Sequence, residues 1–267
     1  MTDIGLEFIK KTGFKYLSRP AMMKKTPQPP LQLEYDAGQR LINLPPPQDL
    51  KMPVVNLRDA IENRRSRRKY LNQPLAPEEL AFLLWCTQGV QEYASGITLR
   101  TVPSGGGRNA FETYLMINNV QKFKTGLYRY LPLDHKLVEI KIDPELPDKM
   151  MKASNNQKYL KECAVVFIWV AVPYRMNWRF SERGYRYMFF DAGHVCQNLY
   201  LAAEAVDCGV CAIGAYDDDK VNKLIGIDGE KQLVIYMATV GRRDESEDTT
   251  IQGIIKRRLE KGKKASK

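Results

Sequence analysis

Five positively charged side chains surround one serine in the run Arg64-Arg65-Ser66-Arg67-Arg68-Lys69-Tyr70. Like charges at such short separations repel one another, so the run predicts an anion close by. Guanidinium groups bind phosphate oxygens with two parallel hydrogen bonds, and the Ser66 hydroxyl can add a further one. Three kinds of anion fit these residue types: nucleic acid, a membrane surface, or the phosphate of a small cofactor.

A bare basic cluster is also typical of a nucleic-acid patch, a localisation signal or a solvated helix end. This run lies between two predicted helices rather than in a terminal extension, and no aromatic residues are interleaved for base stacking. We therefore do not expect nucleic acid as a partner.

A second stretch that could bind a ligand is Pro103-Ser104-Gly105-Gly106-Gly107. Its glycines allow backbone N–H groups to approach a planar or anionic ligand, although a flexible turn explains them equally well. The stretch matches neither the GxGxxG pattern nor a Walker loop. In a third stretch, the lone His194 follows Asp191 and is more typical of a structural residue than of a catalyst. Gly193 costs about 1 kcal/mol in a helix, which indicates close approach by another helix or a ligand.

These stretches lie among elements that local signals predict. Asn56 is a helix cap before the arginine run, and a second helix begins at Pro77 and stops at Gly89. "FETYLMINNV" and "GLYRYLPLDHKLVEI" are predicted strands, the second folded at Pro132–His135. The run "CAVVFIWVAV" predicts a strand covered on both faces, and residues 187–209 predict a long helix, apolar nearly all round, that ends at Gly209. "VCAIGAY", "DDDKVNKLIGI" and "KQLVIYMATVG" follow as a strand, a helix opened by an aspartate cap, and a strand.

The sequence thus predicts an α+β fold, with a mixed sheet packed with helices around a long central helix. Residues 1–53 are rich in proline and predict an extended N-terminal arm, residues 54–250 the folded domain, and residues 251–267 a basic tail. The formal net charge is +10, much of it in the arginine run and the tail.

Several classes of protein are not expected. The N-terminus lacks the apolar region of a signal peptide, and the longest apolar run is too short to span a membrane. The five cysteines are an odd number and predict reduced, buried thiols in the cytoplasm. Because the chain has only two histidines, we expect no metal site.

Taken in order, the stretches resemble one family. "RRSRRKY", "PLAPEELAFLLWCTQGV", "RTVPSGGGRNAFETYLMI", "GLYRYLPLDHKL", "RYMFFDAGHVCQNLYLAAEA", "CAIGAYDDDKV" and "VGRR" follow the order seen in the nitroreductase family, with greatest similarity to its SagB-type branch. The resemblance covers roughly residues 55–245. It implies a nitroreductase-like fold, FMN as cofactor, and a homodimer with the two flavins at the subunit interface. It also implies NADH or NADPH as electron donor and a small electron-poor acceptor.

The resemblance also assigns site residues, and it implies that the anion of the arginine run is FMN. Arg64, Arg65 and Ser66 match positions at the FMN phosphate, and Arg68 matches a cation near flavin N1 and O2. The remaining matches lie along the flavin ring (Pro103, Ser104, Gly105, Gly106), near flavin N5 (Gly214, Ala215), at the phosphate (Arg242, Arg243) and at the pyrimidine edge (Gln157). No catalytic general base is expected.

Two alternatives stay open. Azoline-oxidising members of the branch use a Lys-Tyr pair, and the nearest counterpart here is Arg186-Tyr187. Because an arginine stays protonated, this departure weighs against azoline oxidation in peptide maturation. The other alternative is a flavin-binding protein without turnover.

Overall fold

The computed structural model describes residues 3–94, 96–247, 249–251, 253 and 255. The helices are α1 Ile4–Lys11, α2 Leu57–Asn63, α3 Pro77–Gln88, α4 Leu146–Ala153, α5 Tyr159–Glu162, α6 Pro173–Phe180, α7 Gly184–Glu204 and α8 Asp218–Ile225. The strands are β1 Leu41–Asn43, β2 Val90–Ala94, β3 Ile97–Arg100, β4 Phe111–Ile117, β5 Gly126–Leu131, β6 Lys136–Ile142, β7 Val165–Ala171, β8 Cys208–Ile213 and β9 Leu233–Arg242. Most of the predicted basic tail lies outside the described residues.

A seven-stranded sheet in the order β1-β6-β5-β4-β7-β9-β8 forms the centre of the fold. Each pair of neighbouring strands in it is antiparallel, so the prediction of a mixed sheet is wrong. Among the described residues, parallel pairing occurs only at isolated bridges such as Ser66 with Val210. For β5 and β6 the physical reason is the connectivity: a tight turn joins them, whereas a parallel pair would need a crossover connection.

The central strand β7 separates two hydrophobic clusters. Phe167 and Trp169 point into the cluster that includes residues of α3 and α7. The alternate residues Val166 and Ile168 point into the other cluster, which includes residues of α4 and α8. Because successive side chains of a strand face opposite sides, a strand buried on both faces has to be apolar throughout. The prediction for this strand is confirmed.

Local signals also located the starts of three helices correctly. The Asn56 side chain accepts the N–H groups of Arg58 and Asp59 at the start of α2. Pro77 opens α3, which stops before Gly89 as predicted. The Asp217 side chain accepts the Lys220 N–H and caps α8.

Helix α7 differs from its prediction in two ways. It ends at Glu204, because Asp207 takes a left-handed conformation (φ 48°) and Gly209 lies within β8. A Cβ on Gly209 would lie 2.8 Å from the Cβ of Arg67, so the glycine serves a close strand contact. The helix is also not buried all round: Phe189 and Phe190 are 52% and 56% exposed.

The segment of residues 1–53, predicted as an extended arm, includes helix α1 and strand β1, which pairs with β6. The buried Glu112 on β4 connects this segment to the body. Its Oε1 accepts the Leu33 N–H at 2.9 Å and lies 2.5 Å from Arg175 Nη2, while Oε2 lies 3.6 Å from Arg129 Nη1. Arg175 Nε also donates to the Pro30 carbonyl at 2.8 Å. In the described part of the chain, no helix is both long and apolar enough to cross a membrane.

We expect Glu112→Gln to lower the free energy of unfolding by about 3–5 kcal/mol, because two buried arginines lose their shared counter-ion. The measurement is urea denaturation. Glu139→Gln is the matched control, since Glu139 pairs with the exposed Arg40 at 3.6 Å; its cost should stay below about 1 kcal/mol. Equal losses for the two variants would contradict the importance of the buried cluster.

Candidate functional site

The arginine run borders a cleft of about 860 Å³. Small-molecule and cofactor sites commonly have volumes of about 300–1,000 Å³. The lining residues are Arg64, Arg65, Ser66, Arg68, Lys69, Asn155, Asn156, Gln157, Lys158, Tyr159, Glu162, Glu247 and Thr249. The structure therefore brings five predicted site residues together: Arg64, Arg65, Ser66, Arg68 and Gln157.

Backbone pairing beside β8 holds the arginine run in place. The Arg67 N–H donates to the Val210 carbonyl at 2.9 Å. The Tyr70 hydroxyl donates to the Arg67 carbonyl at 2.8 Å and lies 2.7 Å from Thr239 Oγ1. Side chains of an extended segment alternate, so Ser66 and Arg68 project to the side opposite Arg67. The Arg67 side chain does not line the cleft and lies 3.7 Å from Glu245.

Tyr200 on α7 contacts the arginine run and holds two of its residues in place. Its hydroxyl lies 2.9 Å from Ser66 Oγ and accepts the Ala212 N–H at 2.9 Å. The Arg64 guanidinium lies over the Tyr200 ring at 5.3 Å from its centroid. Burial raises the pKa of Tyr200, so the phenol remains neutral and hydrogen bonded at ordinary pH.

Positive charge exceeds negative charge along the cleft. Cations line it at Arg64, Arg65, Arg68, Lys69 and Lys158, against the carboxylates of Glu162 and Glu247. Glu247 accepts the backbone N–H groups of Arg68 and Lys69 at 3.0 and 3.3 Å. Within the described residues, the side chains of Arg64, Arg65 and Arg68 form no ion pair. This charge balance suits an anionic ligand.

Gln157 lies at the end of the cleft next to the segment that follows β8. Its side-chain amide donates to the carbonyls of Ser154 at 2.9 Å and Ala215 at 2.7 Å. The predicted residue Ala215 therefore contacts the cleft through Gln157, and Gly214 precedes it in the chain. No neighbouring atom lies within 4 Å of a Cβ built on Gly214, among the residues described.

The glycine loop occupies a different place, against α7. Ser104 Oγ donates to Asp191 Oδ2 at 2.6 Å, and the Gly105 N–H donates to Asp191 Oδ1 at 3.1 Å. A Cβ on Gly105 would lie 3.2 Å from the Cβ of Tyr187. Burial raises the pKa of Asp191, and the hydrogen bonds from Ser104 and Gly105 oppose that rise. None of the predicted loop residues Pro103, Ser104, Gly105 and Gly106 lines the cleft of its own chain.

Arg242 and Arg243, predicted at the phosphate, do not line the cleft either. Arg242 Nη2 contacts both oxygens of Glu79 at 2.9 and 2.8 Å, and Nη1 donates to the Val206 carbonyl at 2.6 Å. Arg243 pairs with Glu204 at 2.7 Å. Arg242 at the end of β9 and Arg243 directly after it thus connect this part of the chain to helices α3 and α7.

The Arg186-Tyr187 pair is held by other parts of the chain. Arg186 donates to Thr12 Oγ1 at 2.5 Å and to the Ile9 carbonyl, and the Tyr187 hydroxyl accepts from Arg183 Nε at 3.1 Å. His194 is exposed and lies 3.9 Å from Asp191. Among the described residues, no group of histidine, cysteine or acidic side chains could hold a metal ion.

Sequence reasoning did not identify Tyr159, Asn155 or Asn156 as lining residues. The two asparagines take left-handed conformations, with φ of 52° and 55°. Asparagine tolerates this conformation better than most residues, so the "SNNQK" stretch carried a turn signal. No local signal distinguishes Tyr159 from the other tyrosines, because its place in the lining of the cleft depends on residues distant in sequence.

A model of the nitroreductase family matches residues 61–242, which is more than half of the chain. The chain belongs to the nitroreductase family. A Methanocaldococcus jannaschii protein named as a nitroreductase is 31% identical over 192 residues, covering 72% of this chain and 93% of the relative. The trifolitoxin-processing protein TfxB of Rhizobium leguminosarum is 28% identical over 167 residues, covering 61% of this chain and 45% of that protein. The match to TfxB therefore spans less than half of its length.

Solved structures share the fold of this nitroreductase-family chain. A Ralstonia eutropha structure described as a nitroreductase superposes with a TM-score of 0.65 at 24% identity, covering 82% of this chain and 95% of the other. A Desulfovibrio desulfuricans nitroreductase structure in complex with FMN gives a TM-score of 0.52 at 14% identity, covering 74% and 92%. At these identities the likeness shows the fold. The nitroreductase-like fold predicted from the sequence is confirmed.

The residues of the cleft fit FMN as a ligand. Three arginine side chains free of ion pairs in the described structure, together with the Ser66 hydroxyl, form a donor set suited to a phosphate. The volume of about 860 Å³ is within the range of cofactor sites.

We expect a double-mutant cycle of Arg242→Met and Glu79→Gln to give a coupling energy of about 1 kcal/mol in unfolding, because their hydrogen bonds are charge-assisted and partly shielded from water. Chemical denaturation of the four proteins measures it. The exposed pair Arg58–Glu62, at 2.8 Å on α2, is the control and should couple by less than about 0.5 kcal/mol. A coupling no larger than the control's would show that Arg242 has little structural role.

Proposed function

We propose that this protein is an FMN-dependent oxidoreductase that takes hydride from NADH or NADPH and passes electrons to a small, electron-poor acceptor. The observation that carries the proposal is the cation-lined cleft of Arg64, Arg65, Ser66 and Arg68 in a chain of the nitroreductase family. A family member in complex with FMN supports the choice of cofactor. The bound flavin supplies the redox chemistry, and the protein supplies placement and charge.

Each lining residue has a role in this proposal. Arg64, Arg65 and Ser66 hold the phosphate, with Ser66 and Arg64 kept in place by Tyr200. Arg68 provides a positive charge at the pyrimidine edge of the flavin. A cation there stabilises the negative charge that arrives with hydride.

In this proposal the side chains of Arg242 and Arg243 do not contact the ligand. They would have to leave Glu79 and Glu204 to reach a phosphate in the cleft. Their backbone instead supports the arginine run: the Leu71 N–H donates to the Arg242 carbonyl at 3.0 Å, and Tyr70 bridges to Arg243.

We further propose that the protein is a homodimer with the cofactor at the subunit interface. The exposed side of α7 carries Phe189, Phe190 and Gly193. Nothing lies within 4 Å of a Cβ built on Gly193, among the residues described, so the close approach that this glycine predicts does not come from those parts of its own chain. A second copy would supply it, and exposed aromatic side chains beside a glycine suit helix packing.

The dimer also gives the glycine loop a place in the site. Ser104 contacts Asp191, whereas Ser66 contacts Tyr200. Tyr200 lies nine positions after Asp191 on the helix, about 13.5 Å along the axis. Since the loop does not line the cleft of its own chain, we propose that it acts on the cofactor at the interface. Its glycines would let backbone N–H groups approach the flavin ring.

Azoline oxidation in peptide maturation is a second candidate function, favoured by the similarity to the trifolitoxin-processing protein. The position of Arg186 weighs against it. Arg186 is hydrogen bonded to Thr12 and Ile9, and an arginine is a poor proton acceptor.

The proposal predicts a yellow protein whose flavin absorbance is bleached by NADH or NADPH. Arg64→Met should weaken FMN binding about 10- to 100-fold, because a charge-assisted phosphate contact is lost. Fluorescence titration with FMN measures the affinity. Arg67→Met is the matched control from the same run, and we expect a change of less than about threefold because Arg67 faces Glu245.

Three outcomes separate the hypotheses. Colourless protein that binds no added FMN would refute the proposal. Bound FMN that stays oxidised with both NADH and NADPH would favour a flavin-binding protein without turnover. Equal losses for Arg64→Met and Arg67→Met would show that the cleft is not the phosphate site.

For the dimer, we expect the wild type to sediment at twice the chain mass and Phe190→Glu to sediment as a monomer that retains little FMN. A buried unpaired carboxylate at a helix contact is strongly unfavourable. Leu133→Glu is the control, because Leu133 is 42% exposed on the turn between β5 and β6. A monomeric wild type with full FMN affinity would overturn this part of the proposal.

A further inference from the structure

A second group of arginine side chains lies where the glycine loop meets the end of α6. Arg179 on α6 donates from Nη1 to the Gly106 carbonyl at 3.2 Å. The approach is close, because a Cβ built on Gly106 would lie 3.1 Å from Arg179 Nε. The guanidinium of Arg108, which follows the glycines, lies over the ring of Trp178 at 4.9 Å from its centroid. Trp178 and Arg179 are neighbours on α6, so both contacts bring a guanidinium group to the same junction of helix and loop.

The positive charge at this junction is not neutralised by the described residues. Neither Arg108 nor Arg179 forms an ion pair among them. The carboxylate that contacts the loop is that of Asp191, and it accepts from Ser104 Oγ and the Gly105 N–H instead. Two cations and one carboxylate therefore lie at the loop, which leaves a net positive charge.

The two arginines differ in burial. Arg108 is 2% exposed, its Nε donates to the Arg175 carbonyl at 3.2 Å, and its Nη2 is buried without a hydrogen-bond partner among the described residues. Burial lowers the pKa of Arg108, and the nearby charges of Arg179 and Arg175 lower it further. Arg179, by contrast, is exposed. A ligand can therefore contact Arg179, whereas Arg108 acts on it only through the electrostatic potential.

The loop is open next to this exposed guanidinium. Gly107 follows Gly106 and takes a left-handed conformation, with φ of 65°. A Cβ built on Gly107 would meet no atom of the described residues within 4 Å, whereas one built on Gly106 would lie 2.7 Å from Cζ of Phe180. The loop is thus packed against α6 at Gly106 and has space for a ligand at Gly107.

We propose that Arg179 binds an oxyanion of a reactant at the glycine loop, with Arg108 adding positive potential behind it. This inference rests on the proposed function, in which the glycine loop acts on the cofactor, because a group held at the loop is then next to the flavin. Guanidinium groups bind both carboxylate and phosphate oxygens. Two reactants of the proposed reaction can carry such a group: an acceptor with a carboxylate, or NADH and NADPH with their phosphates.

Arg179 is held in place before a ligand arrives. The Gly106 carbonyl occupies one N–H of its guanidinium, and the guanidinium carbon lies 5.4 Å from the centroid of the Phe180 ring. Most of the N–H donors of the guanidinium remain for a ligand. Fixing the side chain in advance reduces the entropy that binding costs.

The first arm of the test is the affinity of oxidised, FMN-loaded protein for para-nitrobenzoate and for its neutral methyl ester, measured by titration from the change in flavin absorbance. In Arg179→Met we expect the affinity for para-nitrobenzoate to fall about tenfold, because a charge-assisted contact is lost. The affinity for the ester should change by less than about twofold. Arg179→Lys keeps the charge but not the planar fork, and should lose only about threefold for para-nitrobenzoate.

The second arm uses the electron donors. Dissociation constants for NADH and NADPH come from the dependence of the flavin reduction rate on donor concentration, and N-benzyl-dihydronicotinamide is the donor without phosphates. If the oxyanion is a phosphate, Arg179→Met should bind the two dinucleotides about tenfold more weakly and the benzyl compound equally well. The arm in which the loss appears identifies the reactant that carries the oxyanion.

Arg40→Met is the control for a general loss of positive charge. Arg40 is also exposed, but it pairs with Glu139 at 3.6 Å beside the edge strand β1. We expect a change of less than about twofold for every ligand in this variant.

The outcomes separate this inference from the proposed function. Wild-type protein that binds no FMN would overturn both. Wild-type protein that binds FMN, with no loss of affinity for either kind of anionic reactant in Arg179→Met, would overturn the role of Arg179 alone. Equal losses for the ester and the benzyl compound would show a disturbed loop rather than a lost charge contact, and would also overturn it. So would equal losses in Arg40→Met.

Discussion

The structure depends on how it holds several arginines close together without neutralising all of them. Backbone pairing with β8 and β9 keeps the run extended, so alternate side chains separate to opposite sides. Arg67 meets Glu245, whereas Ser66 and Arg64 rest on Tyr200. The paired strands thus hold the arginines in place despite their mutual repulsion. The resulting cleft has a positive charge that favours an anion.

Elsewhere in the molecule, two buried arginines are paired with a carboxylate. Arg129 and Arg175 are buried around Glu112, and each also donates to a backbone carbonyl of the N-terminal segment. A buried charge has to be paired and hydrogen bonded to be tolerated. The N-terminal segment therefore supplies acceptors that the body lacks. These two arginines pair with a carboxylate, whereas among the described residues the side chains of Arg64, Arg65 and Arg68 form no ion pair; this contrast supports the cleft as the proposed ligand site.

Helix α7 connects the separate parts of the proposed site. Tyr200 supports the arginine run, and Asp191 fixes the glycine loop. Phe190, next to Asp191 in the chain, is exposed. One rigid helix can hold the two loops at a constant separation, about 1.5 Å per residue. The same helix would then transmit dimer formation to the site, because its exposed side is the surface proposed for the partner.

The sequence by itself determined the elements whose signals are local. The cap at Asn56, the apolar run of β7 and the ordered family motifs located helices, the central strand and the arginine run. Only the tertiary structure decided which partners the charged and polar side chains choose. The contact of Ser66 with Tyr200 joins residues 134 apart, and that of Ser104 with Asp191 joins residues 87 apart. It also decided that the sheet is antiparallel and that Gln157 bridges to Ala215. Capping and periodicity depend on neighbours within one or two turns, whereas hydrogen-bond partners and strand direction depend on how the whole chain packs.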